Sequence, residues 1–499
     1  MGVIIRQSLK HSIVRYIGVL IGVVSMLKIY PLEWDMIGEI RFILSTSSLL
    51  MSFGLLGVNS LTIRFFPNFK NEDTGHHGFL GLLLLGVLLT LSTTGLALFV
   101  FRDTAFEMLS LLKINLSELR ENIHYIGLLI ALLALIGILA AYSSNFQRIV
   151  IPDLLQNFSL KIILPLLILA FHFSLLNRSD VKTAYVLVHV LIAMALLYYI
   201  YSLGQLKLKI NFSFLSPRLM KQMGVYSLYG IIGSIGSILV TRIDYFMVTT
   251  MLETSYFGTG IYDFAVNITG VIIIPYTAFT AIAAPIIAGH IQTKAYKDTL
   301  DVYQRSSLVL MIAGLGLFLS LWISIDELFL ITPDPAALQP VKYVVFFLGL
   351  SKLIDMTTGL NGHIIAFSEY FRFNVLVLLL LGLFNVVFNF YFLPRYGITG
   401  AAIATFISLA CFNLTKFVFV WYKMGLQPFT LRNLQVLLFA SIAYGLAAII
   451  PGTGNYLLDI AIHSGLFALV FALLVLMFKV SDDVNQLYAS VLSFLKIKR

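Results

Sequence analysis

Charged residues are scarce in this sequence of 499 residues. Asp, Glu, Lys and Arg together make up 11% of it, whereas hydrophobic residues make up 59%. A soluble globular domain carries roughly 25% charged residues. So little charge over this length excludes a soluble protein and is typical of a chain that lies largely inside a lipid bilayer.

Cysteine is also nearly absent, and with it several kinds of chemistry. A single cysteine, Cys411, excludes an intrachain disulfide and paired-cysteine zinc or redox motifs. The nine His residues have no metal-ligand spacing, and the sequence has no HExxH, GxSxG or GxxxxGK[ST] motif. We therefore expect no metal, no cofactor, no enzymatic activity and no nucleotide-driven motor. The net charge of +9 does not indicate nucleic acid, because the basic residues are scattered through short loops.

Long apolar segments fill the chain instead. A helix that spans the hydrocarbon core needs about 20 apolar residues. We predict an all-α integral membrane protein with about fourteen transmembrane helices. Their expected ranges are 11–30, 37–64, 78–101, 122–143, 155–175, 183–203, 220–243, 259–288, 304–325, 341–366, 373–393, 398–422, 433–450 and 457–478.

The basic residues orient these helices. About two thirds of the 33 Lys and Arg residues fall on the side of the N-terminus, even with Arg41 and Lys352 counted on the other side. The excess of Lys and Arg marks the cytoplasmic side, and an even helix count puts both termini there. The tail, 481–499, has apolar residues at helical spacing and a basic end. It predicts an amphipathic helix on the anionic inner leaflet.

A two-fold repeat relates the second and the eighth predicted helices. Superposing Gly38 on Gly260 places Arg41 at the position of Asp263. Both helices, and the seventh helix up to Asp244, carry polar residues three, four or seven positions apart, hence on one face. Such a face in a membrane looks into a bundle or a water-filled cavity. Close helix packing through small residues, without a cavity, is the alternative.

Charged and aromatic residues inside the predicted helices supply the candidate site. Arg and Lys suit an anionic group such as a pyrophosphate, and tyrosine rings suit sugars or the membrane interface. Lys352 and Asp355 are three residues apart and could instead neutralise each other. The candidate substrate-binding residues of a central cavity are Arg15, Arg41, Lys352, Tyr229, Tyr262 and Asn267. The candidates for ion coupling are Asp244, Asp263 and Asp355.

Two junctions resemble those of Wzx-type polysaccharide or O-antigen flippases, which belong to the multidrug/oligosaccharidyl-lipid/polysaccharide exporter superfamily. They are the stretch Arg242–Ala265, between helices 7 and 8, and the stretch Leu393–Thr405, between helices 11 and 12. The resemblance implies two six-helix lobes in a V, 1–210 and 211–425, followed by helices 13 and 14 in 426–480. It also implies that helices 1, 2, 7 and 8 line a cationic cavity. Asp263 departs from that pattern.

The function expected from this resemblance is a flippase of the bacterial inner membrane. It would move undecaprenyl-pyrophosphate-linked oligosaccharide to the periplasmic face by alternating access, for O-antigen or lipopolysaccharide biosynthesis. Its expected partners are that lipid-linked oligosaccharide, membrane lipids and other membrane proteins of polysaccharide assembly. Two alternatives stay open. One is an ion-coupled exporter of drugs or cations, with an acidic and aromatic cavity. The other is a polytopic enzyme of polysaccharide assembly, for which only the outer loop 102–121 offers carboxylates.

Overall fold

A computed structural model describes residues 17–54, 58–72, 74–112, 114–146, 148 and 150–496. These residues form helices joined by short turns and include no strand. Twelve helices in the described part are long and apolar enough to cross a membrane, or thirteen if one bent pair counts as a span. The all-α, multi-pass membrane class predicted from the sequence is confirmed, with close to the expected number of helices.

The described chain packs as two compact units, Met1–Asp263 and Phe264–Arg499. The predicted domain boundaries at 210, 425 and 480 stay predictions. The helices of the first unit are α1 (Ile17–Leu32), α2 (Trp34–Gly54), α3 (Val58–Phe69), α4 (Phe79–Val100), α5 (Arg102–Leu111), α6 (Ser117–Ser144), α7 (Val150–His172), α8 (Arg178–Ser202) and α9 (Pro217–Met251), followed by the start of α10 (Ser255–Thr269).

The second unit continues from α10 through the rest of the chain. Its helices are α11 (Ile274–Gln292), α12 (Tyr296–Ile323), α13 (Ile325–Phe329), α14 (Lys342–Thr357), α15 (Asn361–Phe367), α16 (Phe371–Tyr396), α17 (Ile398–Met424), α18 (Leu431–Ala448), α19 (Tyr456–Met477) and α20 (Asp482–Lys496). The last of these lies in the predicted amphipathic tail, whose position on a leaflet stays a prediction.

Turn chemistry fixes several helix starts. Asn177 caps α8 in a reciprocal capping box with Asp180, and the Ser216 side chain accepts the Leu219 amide at the start of α9, where Pro217 occupies the first turn. Two predicted spans are broken. The span 259–288 divides into α10 and α11, and the span 341–366 divides into α14 and α15. At the second break Gly359 has a φ of +63°, a left-handed conformation that ends a helix and favours glycine.

In the first unit, α2 is the central helix. It packs against α6 on one side and against α9 on the other, and α6 in turn packs against α8. The chain bends by 117° between α1 and α2. Aromatic residues of α3 and α4, among them Phe66 and Phe79, form the core of this unit with Tyr142 of α6. This arrangement holds α2 between two sets of helices, and its polar residues therefore face one set or the other.

Candidate functional site

Two glycines bring α2 and α10 into backbone contact. A Cβ atom on Gly38 would lie 1.8 Å from the carbonyl oxygen of Tyr256, and one on Gly260 would lie 2.1 Å from the carbonyl oxygen of Trp34. Only glycine permits so close an approach, because any side chain would overlap the facing backbone. Gly38 and Gly260 are the two positions that the sequence repeat makes equivalent. The two copies of the repeated segment therefore contact each other through the same residue.

One turn further along each helix, the equivalent charged residues bind each other. The Arg41 Nε donates to Asp263 Oδ2 at 3.0 Å, and the exposed fractions of the two side chains are 20% and 5%. The Tyr245 hydroxyl donates to the other carboxylate oxygen, Oδ1, at 2.9 Å. The Tyr262 hydroxyl donates to Asp244 Oδ2 at 2.7 Å. Two hydrogen bonds thus join α9 and α10: a tyrosine of α9 donates to an aspartate of α10, and a tyrosine of α10 donates to an aspartate of α9.

The Arg41–Asp263 pair is stable as it stands, and breaking it costs free energy. A charge-assisted hydrogen bond is roughly twice as strong as a neutral one, and it is stronger still where water is excluded. Removing one partner from a buried pair leaves the other charge without compensation, at a cost of about 3–5 kcal/mol. Arg41 and Asp263 can therefore separate readily only if each acquires another partner, such as an anion for Arg41 or a proton for Asp263.

A second buried cluster, of charged side chains, binds the opposite face of α2 to neighbouring helices. Glu39 is fully buried, and its carboxylate accepts hydrogen bonds from Lys182 Nζ at 2.8 Å and from Arg178 Nε, both of α8. Lys182 also donates to Asn122 Oδ1 of α6 at 3.1 Å and pairs with Glu121. Glu39 and Arg41 are two residues apart, so their side chains point to opposite faces of the helix. Glu39 thus ties α2 to α6 and α8, while Arg41 ties it to α10.

The turn between α9 and α10 is also bound to α6. Asn122 Nδ2 donates to the Tyr256 hydroxyl at 2.8 Å, and the Ser255 hydroxyl donates to Glu118 at 3.1 Å. The Asn115 amide donates to the carbonyl oxygen of Thr250 at 2.7 Å. We call the set of contacts made by Gly38, Arg41, Tyr256, Gly260 and Asp263 the α2–α10 contact. Two close backbone approaches, a few polar bonds and the packing of Phe42 against the Tyr256 ring hold it.

Sequence reasoning identified Arg41, Asp244, Tyr262 and Asp263 as site residues, and the structure brings all four together. It missed Glu39 and Lys182. Glu39 lies inside the predicted span 37–64, and its charge there was the signal that could have identified it. Glu118 and Glu121, from the loop considered for an enzyme, bind Ser255 and Lys182.

The remaining candidates lie elsewhere. Asn267 is exposed one turn beyond Asp263 on α10. Arg15 lies outside the described residues, and so does the side chain of Tyr229. In the second unit, Lys352 is half-buried, and no carboxylate of the described residues lies within 4.0 Å of its ammonium. Asp355 instead accepts a hydrogen bond from Asn413 of α17, so the suggested neutralisation between Lys352 and Asp355 is not what the structure shows.

Solved structures with a similar architecture were found, although sequence comparisons found none. No family model matches the chain, and no curated protein matches it in sequence. The chain is similar to the lipid II flippase MurJ in its inward closed conformation, with a TM-score of 0.70 over 93% of this chain and 98% of that one. The chain has the MurJ fold. The sequence identity is 13%, so the likeness is one of fold.

The MurJ fold extends to multidrug transporters. An inward-facing multidrug resistance transporter of the MATE family, in the MOP superfamily, matches with a TM-score of 0.58 and 14% identity over 83% of this chain and 94% of that one. A MATE protein in complex with MaL6 matches with a TM-score of 0.52 and 13% identity over 85% and 96%. These likenesses are likewise ones of fold, and they do not distinguish a Wzx-type flippase from other proteins of this fold.

Proposed function

We propose that the protein is a flippase that carries undecaprenyl-pyrophosphate-linked oligosaccharide from the cytoplasmic to the periplasmic face of a bacterial inner membrane by alternating access. The product would serve O-antigen or lipopolysaccharide biosynthesis. The observation that carries the proposal is the Arg41–Asp263 pair at the glycine contact of two duplicated helices, in a fold shared with a lipid II flippase.

The α2–α10 contact has the properties of a gate. With both termini in the cytoplasm, the beginnings of α2 and α10 lie at the periplasmic face, so this contact would close the molecule on that side. It joins the helices through close backbone approaches, a few polar bonds and the packing of Phe42 of α2 against the Tyr256 ring of α10. Separation of the two helices would expose Arg41 and Asp263 together, so that both could acquire new partners.

Arg41 would then bind Asp263 while the α2–α10 contact is closed and the substrate once it opens. Arginine keeps its charge in proteins and binds phosphate oxygens in a bidentate manner. A pyrophosphate would replace Asp263 as its partner, and Asp263 would take up a proton or remain bonded to Tyr245. Substrate binding and opening of the α2–α10 contact are thereby coupled through one side chain. Arg15, Lys352, Tyr229, Tyr262 and Asn267 are proposed as the further substrate contacts, with the polyprenyl chain left in the lipid.

Transfer of a lipid-linked oligosaccharide with a fluorescent sugar across proteoliposomes tests this proposal, because a membrane-impermeant quencher reports which leaflet holds the dye. Arg41→Ala should abolish transfer, while Arg41→Lys should retain part of it. Arg372→Ala is the matched control, since Arg372 is exposed at the start of α16. Normal transfer by Arg41→Ala, in protein that inserts and purifies normally, would contradict the mechanism.

Export of organic cations is the second candidate. Two buried carboxylates, Asp244 and Asp263, lie beside the edge-to-face rings of Tyr245 and Tyr262, whose centroids are 5.7 Å apart. Carboxylates and aromatic rings are the groups that bind a flat cation. Accumulation of ethidium in the same proteoliposomes, abolished by Asp244→Asn, would favour this function over the flippase.

A further inference from the structure

A buried lysine lies inside the second unit, close to the candidate residue Asp355. Lys416 of α17 is 5% exposed. Its ammonium lies 3.8 Å from the centre of the Phe412 ring. Within the described chain it donates no hydrogen bond, and no carboxylate oxygen lies within 4.0 Å of it. A buried ammonium has three donors to satisfy, and a ring face satisfies them only in part.

The nearest opposite charge is held apart from this lysine. Asp355 of α14 interacts electrostatically with Lys416, but its Oδ1 accepts a hydrogen bond from Asn413 Nδ2 at 3.1 Å. The Asn413 side-chain oxygen, Oδ1, in turn accepts a hydrogen bond from the Thr358 hydroxyl at 3.0 Å. The Asn413 side chain thus holds the Asp355 carboxylate in place, whereas no hydrogen bond within the described chain holds the Lys416 ammonium.

The lysine also faces a break in a spanning helix. The segment Thr358–Leu360 separates α14 from α15, and a Cβ atom on Gly362 would lie 3.6 Å from Lys416 Nζ. On either side of Gly362, Asn361 Nδ2 and His363 Nδ1 are buried without a hydrogen-bond partner in the described chain. Asn361 and His363 are two residues apart on α15 and so lie on different sides of that helix; His363, which interacts electrostatically with Lys416, is the one that offers a polar atom for a water molecule beside the lysine. Broken helices are where membrane transporters bind coupling ions.

We propose that Lys416 is a proton-exchange site: its amine takes up a proton from water and returns it, beside the carboxylate of Asp355. Uptake places one positive charge on Nζ, and loss of that proton to a water molecule removes it. A metal ion does not fit beside Asp355, because the ammonium would repel it. Lysine can lose its proton when buried, whereas arginine cannot.

The other ionisable groups near Lys416 come from four neighbouring helices, α11, α14, α15 and α16. From α14 the group facing it is Asp355, with Lys352 further along that helix, and from α15 it is His363, which interacts with Lys416 electrostatically. The ionisable residues of α16 are exposed, namely Arg372, Tyr391, Arg395 and Tyr396. Tyr276 of α11 interacts with Asp355 and joins the cluster through it.

Counting protons tests the site without any substrate. Purified protein in unbuffered detergent solution is titrated between about pH 6 and pH 9 with an indicator dye, and the wild type should release about one proton more per chain than Lys416→Arg or Lys416→Met. Lys416→Arg keeps the positive charge, so this comparison does not depend on the folding of Lys416→Met. Identical proton counts for the wild type and Lys416→Arg would overturn the proposal.

The use of this proton in transport rests on the proposed function and has a separate readout. In proteoliposomes with a pH difference across the membrane, substrate transfer by the wild type should respond to that difference, and transfer by Lys416→Arg should not. If Lys416 exchanges a proton but no lipid-linked oligosaccharide is moved, the proposed substrate fails and the site stands. A purely structural lysine would leave both the proton count and the pH response unchanged in Lys416→Arg.

Discussion

Adding one methyl group at Gly38 should open the α2–α10 contact. In Gly38→Ala the new Cβ atom would start 1.8 Å from the carbonyl oxygen of Tyr256, so the helices must move apart by more than about 1 Å to reach an allowed contact. Overpacking of this kind typically costs about 1–3 kcal/mol, which corresponds to a shift of about 5- to 150-fold between closed and open forms. Alanine also favours a helix by about 1 kcal/mol over glycine, so a loss of the closed form has a steric cause.

Cysteine accessibility measures this shift. Ser45 lies four residues after Arg41 on the same face of α2 and is fully buried. In a Cys411→Ser background, Ser45→Cys should react slowly with a water-soluble maleimide while the contact is closed. Adding Gly38→Ala should raise the rate by at least about fivefold, the lower end of the expected shift.

A second glycine serves as the matched control. Gly127 of α6 has open space where its Cβ atom would be, so Gly127→Ala adds the same methyl group without a clash. Ser45→Cys combined with Gly127→Ala should be labelled at the same rate as Ser45→Cys alone. The reasoning is refuted if Gly38→Ala leaves the rate unchanged, or if Gly127→Ala raises it as much.

Three further predictions follow from other contacts. Glu39→Gln should lower the melting temperature, since the buried Lys182 loses the nearer of its two carboxylates and keeps only Glu121, at a cost of up to about 3–5 kcal/mol. A double variant with Lys182→Met should recover part of the loss, whereas an additive loss would argue against the pairing. Tyr262→Phe should cost about 1.5–3 kcal/mol in thermal unfolding, because the Asp244 carboxylate loses a donor, and an unchanged melting curve would mean that the bond is not formed. A polarity-sensitive dye on Leu487→Cys of α20, where Leu487 is 66% exposed, should emit as in an apolar environment when the protein is in anionic liposomes, whereas emission as in water would exclude a helix lying on the membrane.

The spanning helices could be predicted from sequence because a bilayer imposes a length and a composition on every one of them. Breaks within spans are a different matter. The interruption at Thr358–Leu360 lies in an apolar stretch, and a single glycine with positive φ is its main local signal. Hydropathy averages over such a break, so the segment 341–366 read as one helix.

Part of the candidate site also followed from the sequence. The predicted repeat placed Arg41 and Asp263 at equivalent positions, but equivalence does not imply contact, which depends on how close the two segments approach. Local spacing favoured a pair between Lys352 and Asp355. In the structure Asn413, from another helix, binds Asp355 instead, and such tertiary partners have no fixed separation along the chain. Lys416 lies inside the predicted span 398–422 and was overlooked for the same reason as Glu39: one charge in an apolar run barely changes its hydropathy.

The meeting of Gly38 with Gly260 has a consequence for how charge can be arranged there. In a symmetric dimer of identical chains, a residue near the two-fold axis meets its own copy, so an arginine would face an arginine. Joining two copies in one chain removes that restriction, because each position can then change separately. Arg41 against Asp263 is an arrangement open to a fused pair and closed to a symmetric one. The same freedom puts opposite charges on the two sides of this contact.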